Sequence, residues 1–119
     1  MAQELPPGVR SQIVKLQKMQ EELQYVLTAK QQRQLQLYEI QNALTELENL
    51  PEEREVFKIV GTIMVSKDKE SIIKELTERK ELVETQLKTL QKQEELLRKQ
   101  LEELNKKIRA SIGGATSAG

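Results

Sequence analysis

The sequence predicts a mainly α protein: an antiparallel two-helix coiled coil with one central β-hairpin. Three observations carry this. Apolar residues recur at three- and four-residue spacings in two segments of nearly equal length. One short β-branched segment, Val56-Phe57-Lys58-Ile59-Val60-Gly61-Thr62-Ile63-Met64-Val65, lies midway between them. The composition also leaves little to build a globular core, since 32% of the 119 residues are charged, 3% are aromatic and none is Trp. Such compositions with a 3.5-residue period are usually long helices. The chain reads as a single domain over 1–119. Folding back would bring both termini to one end and the β segment to the other.

The first helix is expected over 9–49. Leu5-Pro6-Pro7-Gly8 breaks the chain before it, and Pro is tolerated where the first turn has no use for its N–H. Its apolar positions are Val9, Ile13, Leu16, Leu23, Leu27, Leu37, Leu44 and Leu47, with Gln20, Lys30, Gln34 and Gln41 as polar seam positions. Polar seam residues cost stability but fix register and partner number. The alternative is that this helix is merely a weak coil former. Asn49 and Pro51 stop it, because Asn accepts the left-handed cap conformation and Pro cannot continue a helix.

The hairpin is expected over 56–66. Val56, Ile59, Val60, Ile63 and Val65 are β-branched, Phe57 is aromatic, and Gly61-Thr62 marks the turn. A lone two-stranded hairpin is marginal in water, and its edges and apolar side chains call for partners. A buried apolar turn between helices is the other reading.

The second helix is expected over 69–109, with Asp68 as N-cap and Glu70 favourable in the first turn. Its seam is regular: Ile73, Leu76, Lys80, Val83, Leu87, Leu90, Glu94, Leu97, Leu101, Leu104, Ile108. This period implies a left-handed supercoil. Pairs such as Glu75–Arg79, Glu94–Arg98 and Glu102–Lys106 lie at i,i+4, each contributing about 0.2–0.5 kcal/mol. Residues 113–119, opening on Gly113-Gly114, read as a flexible tail.

Several functions are disfavoured. Lys+Arg and Asp+Glu both number 19, so no general attraction to nucleic acid is expected. With no Cys and no His, disulfides, thiolate metal sites and the commonest acid–base catalyst are missing. No catalytic residue, metal or cofactor is expected. Glu94/Glu95 and Glu102/Glu103 read as solvated helix faces. No apolar run reaches membrane-spanning length, and Met1-Ala2-Gln3-Glu4 does not resemble a signal peptide. A soluble intracellular protein is the expectation.

The functional signal lies at the helix ends. Antiparallel folding places Val9, Ile13 and Leu16 beside Leu101, Leu104, Ile108 and Ile112. Leu16 and Leu101 read as ordinary seam, whereas Val9, Ile13, Ile108 and Ile112 read as exposed and suited to binding other proteins.

With these residues in place, the chain resembles the prefoldin family, and within it the β-class subunits of the archaeal type. The resemblance covers essentially the whole length. Its most specific part is Val56 to Val65, which looks like the family's aromatic-Lys-x-Val-Gly-x-aliphatic-x-Val segment. One hairpin rather than two points to the β class. The resemblance implies a cytoplasmic heterohexamer of two α-class and four β-class subunits. Their hairpins, here Val56, Phe57, Ile59, Val60, Gly61, Ile63 and Val65, would join in a multi-subunit β-barrel platform. It also implies an ATP-independent chaperone, or holdase, that passes non-native polypeptides to a group II chaperonin. The client-binding tips would then be Val9, Ile13, Leu16, Leu104, Ile108 and Ile112. A structural coiled-coil spacer without client binding is the competing reading; a nucleic-acid binder and an enzyme fit less well.

Overall fold

Helices α1 (Pro7–Asn49) and α2 (Lys69–Ser117) flank strands β1 (Val56–Val60) and β2 (Ile63–Lys67) in a computed structural model that describes residues 5–117. The stretch Met1-Ala2-Gln3-Glu4 and the final two residues of the expected tail lie outside the described residues.

Pro7 occupies the first turn of α1, where its missing N–H costs nothing. The Pro6 carbonyl accepts from the N–H groups of Val9 and Arg10 at 2.9 and 3.1 Å. The helix stops at Asn49, just before Leu50-Pro51, as its residues predict. A turn follows in which the Arg54 N–H donates to the Pro51 carbonyl at 3.1 Å.

The strands pair antiparallel with Val60 opposite Ile63 and Val56 opposite Lys67. Gly61 and Thr62 are thus the two turn residues. Gly61 has φ 60° and no other residue type in the described chain has positive φ. Positive φ at the first turn position alone is the type II′ arrangement, which matches the twist of the strands. The alternative of a buried apolar turn is overturned, since the segment forms ladder-paired strands with exposed apolar side chains.

Asp68 caps α2. Its Oδ2 accepts from the Ser71 N–H at 3.0 Å and its Oδ1 from the Ser71 hydroxyl at 2.8 Å. The helix begins where expected but continues past Arg109, through Gly113 and Gly114, to Ser117. Glycine costs a helix about 1 kcal/mol per residue. Extending an existing helix is nonetheless far easier than nucleating one, so the backbone of the expected tail stays helical over 113–117.

Contacts gather the chain into two compact units rather than one core: Met1–Lys30 with Leu90–Gly119, and Gln31–Thr89. A two-helix seam spreads its contacts along its length, which is why no single core forms. In the first unit Met19, Leu101, Leu104 and Ile108 form a buried cluster, with Ile13, Leu16 and Leu23 packed on it. Pairing is antiparallel there, because Lys30 meets Glu94 while Met19 meets residues further along α2. In the second unit Ile40, Leu47, Ile72 and Val83 are buried. The Lys69 ammonium donates to the Leu50 carbonyl at 2.9 Å, tying the start of α2 to the end of α1.

The α2 seam is the expected one, with every member buried or half-buried from Ile73 to Ile108. The α1 seam differs. Buried and half-buried positions step as Val9, Gln12, Leu16, Met19, Leu23, Val26, Lys30, Arg33, Leu37, Ile40, Leu44 and Leu47. Gln20, Gln34 and Gln41, expected in the seam, are exposed. Met19, Arg33 and Ile40, their neighbours by one residue, take those places. The reason is apolar area: turning the helix by this amount buries Met19 and Ile40 and leaves the Gln20, Gln34 and Gln41 amides in water, although it half-buries Gln12 and Arg33.

Two substitutions test this architecture. Leu104→Ala should lower the unfolding free energy by about 2–4 kcal/mol, read from denaturant titration followed by helical circular dichroism. A Cβ at Gly61 meets nothing within 4 Å, so Gly61→Ala should cost only the left-handed backbone, about 1–2 kcal/mol. That loss should appear as faster amide exchange in the hairpin and not in the helices.

Candidate interaction surfaces

Strand alternation divides the hairpin into two faces. The register puts Val56, Lys58, Val60, Ile63 and Val65 on one face and Phe57, Ile59 and Met64 on the other. On the first face Val56, Lys58 and Val65 are half-buried, and Lys58 makes an ion pair with Glu75 of α2. Glu75 thus pairs with Lys58 of the hairpin, and the Lys58 ammonium holds the Glu75 carboxyl below its ordinary value.

The second face is open. Ile59 is 72% and Met64 66% exposed, and Phe57 is exposed as well; on the first face Val60 and Ile63, beside the turn, are also exposed. Ile72 and Leu76 of α2 line an open groove with Phe57 and Ile59. In a two-stranded sheet both strands are edges, with unpaired backbone groups along their outer sides. All seven expected hairpin residues therefore lie in β1, β2 or the turn between them, most of them presented to solvent.

The expected client-binding residues divide differently. Ile112 is exposed. Val9, Leu104 and Ile108 are buried, and Ile13 and Leu16 are half-buried. The expectation that Val9, Ile13 and Ile108 stand open is corrected. In the folded chain they pack into the α1–α2 seam, which stays closed into its last turns because α2 extends beyond them. The reading of Leu16 and Leu101 as seam holds. One flaw remains in this part of the seam: the side-chain oxygen of Gln12 is buried without a hydrogen-bond partner.

Charge enters the seam at Lys30 and Glu94. The Lys30 ammonium donates to Glu94 Oε1 at 2.9 Å, and Arg98 Nε donates to Glu94 Oε2 at 2.9 Å. With its side chain only 15% exposed, Glu94 has both oxygens engaged. The Lys30 and Arg98 hydrogen bonds, together with their positive charges, hold its carboxyl below the ordinary range. Lys30 and Glu94 were both legible as seam positions, and the Glu94–Arg98 pair as an i,i+4 contact; the meeting of Lys30 with Glu94 across the helices was not. Also unread in the sequence was an exposed pair across the helices, Tyr25 and Leu96.

No group of three or more His, Cys, Asp or Glu that could hold a metal occurs among the described residues. None of the described helices is long and apolar enough to cross a membrane.

The Prefoldin subunit family matches residues 10–115, which takes in both helices and the hairpin. The chain belongs to the prefoldin family. Among its relatives are proteins named prefoldin subunit beta. That of Archaeoglobus fulgidus is 45% identical over 87 residues, covering 73% of this chain and 75% of that protein. That of Pyrobaculum aerophilum is 41% identical over 122 residues, covering 99% and 96%. The crystal structure of the prefoldin beta subunit from Thermococcus strain KS-1 superposes with a TM-score of 0.84 at 38% identity, covering 92% of this chain and 96% of that one. The prefoldin resemblance read from the hairpin segment is thereby borne out, as is the fold of two helices around one antiparallel hairpin.

The seam charge gives this prefoldin chain an acid-sensitive contact. Glu94 is depressed from an ordinary value of 4.5. The pair therefore contributes fully above about pH 4.5 and is lost as the pH falls through the lower folded value. On acidification, the melting temperature of the wild type should fall more than that of Glu94→Gln. Equal falls, measured by circular dichroism at matched ionic strength, would show that the pair carries no pH dependence.

Proposed function

We propose that this chain is a subunit of an ATP-independent holdase that assembles through its hairpin and binds non-native polypeptides. The observation that carries the reading is the hairpin itself. It exposes Phe57, Ile59, Val60, Ile63 and Met64 and two open strand edges. That surface is unfavourable in water and is relieved when hairpins from several subunits close into a barrel, which abolishes edges. Family membership supports the same reading.

In this proposal the complex holds two α-class and four β-class subunits in the cytoplasm and hands clients to a group II chaperonin. Its chemistry needs no catalytic residue, metal or cofactor. Weak apolar contacts repeated across several subunits gain avidity without any strong single site. Release then follows from competition by the downstream partner. Ile112 is accessible to a client as the chain stands. Val9, Ile13, Leu16, Leu104 and Ile108 can contribute when the last turns of the seam separate.

A structural spacer would share the helices and the hairpin, so activity must separate the two. The complex formed with an α-class partner should suppress aggregation of a chemically denatured client without ATP, seen by light scattering. A complex of full mass that leaves aggregation unchanged would establish the spacer instead. Val60→Asp or Ile63→Asp should abolish the complex while helical circular dichroism stays high. A variant that still runs at full mass in native mass spectrometry would remove the hairpin from assembly.

A further inference from the structure

The unit built from Met1–Lys30 and Leu90–Gly119 carries a surface that neither seam nor hairpin explains. Tyr25 on α1 is 76% exposed and Leu96 on α2 is 57% exposed. Both line one open groove, with the seam residues Val26 and Leu97 beside them. Val26 is buried and Leu97 half-buried, so this lining is held by the coil. Gln93 and Gln100 line the α2 side, and Glu22 is the charged residue among the lining.

We infer that this groove is a preformed seat for an extended apolar segment of a non-native polypeptide, neutral or flanked by basic residues. The inference rests on the holdase reading and gives it a location. An exposed aromatic ring beside an exposed Leu presents apolar area that a client side chain can cover. Gln93 and Gln100 stand about two turns apart on one side of α2, a span of about 10 Å. That is the length of about three extended residues. Each amide offers both donors and an acceptor. An unfolded segment has free backbone N–H and C=O groups to meet them; a helical partner has already satisfied its own. Glu22 favours a Lys or Arg flank and opposes an acidic one. Val9, Leu104 and Ile108 must leave the seam before a client can reach them. The Tyr25–Leu96 groove needs no such opening.

The chain has no Trp, so Tyr25→Trp supplies a single indole reporter per chain in the assembled complex, made with a Trp-free partner. The probe is a Trp-free synthetic peptide in which Leu alternates with Ser between Lys-rich ends. Adding it should shift the indole emission of Tyr25→Trp to the blue with saturation. Tyr38→Trp, an exposed site of the other unit, should not respond. Tyr25→Ser combined with Leu96→Ser should raise the peptide Kd about tenfold and weaken aggregation suppression, with helicity and complex mass unchanged. Glu-rich ends should weaken binding of the same peptide.

Wild-type affinity in the double variant, with the loss found in Ile112→Ser, would move the contact to the helix ends and overturn the groove while the holdase reading stands. Emission from Tyr25→Trp that is already blue-shifted in the complex before peptide is added would mean that another subunit fills the seat, which also overturns it. If the wild-type complex neither binds peptide nor protects a client, the groove and the holdase reading fall together. The Tyr25→Trp shift keeps an aromatic ring in place and decides the question even if the double variant fails to assemble.

Discussion

Two helices that share one line of contact can each bury only a narrow stripe. In each of the chain's two units that stripe steps by three and four residues along its stretches of α1 and α2, with buried and half-buried positions falling between Val9 and Leu47 and between Ile72 and Ile108. Most of what lies outside it faces water. The constraint explains why the surface is so rich in charge, and why the apolar residues off the seam stand out as chemically significant. It also explains why the contacts separate into two units. A seam has no centre to which distant layers could all belong.

The hairpin meets the same constraint differently. Five residues per strand cannot bury two faces against helices that are already engaged with each other. One face gains partial cover and the Lys58–Glu75 pair. The other keeps Phe57, Ile59 and Met64 in solvent. Helical seam and hairpin thus differ: the seam is covered within the chain, whereas the hairpin keeps exposed apolar side chains and two open strand edges. This is the physical content of belonging to a family whose members are subunits.

Charge inside the seam has a comparable logic. The Leu-rich α2 seam could pair acceptably after a slip of one heptad. Lys30 opposite Glu94 would then lose its partner, and a half-buried charge without a partner is costly. The Gln12 oxygen without a partner works in the opposite sense, since it weakens the seam in the unit that holds the chain ends. Stability along the seam is therefore uneven.

The sequence by itself determined what depends on neighbours in the chain. The Asp68 cap, the stop before Pro51, the Gly61-Thr62 turn and the α2 period could be read from local residue types, and the prefoldin family from the resemblance of Val56 to Val65; α1 begins at Pro7, two residues before the expected Val9. The register of the hairpin, and with it which residues share a face, came from the structure. Only the tertiary structure decided what depends on the opposite helix. Around Gln20, Gln34 and Gln41, residues one step apart compete for the seam, and the partner's surface selects Met19, Arg33 and Ile40. Val9 and Ile108 look like open ends in sequence but are buried in the structure, Ile108 in the cluster with Met19, Leu101 and Leu104. Tyr25 and Leu96 are ordinary surface residues of their own helices and become a groove only because the antiparallel pairing sets one beside the other.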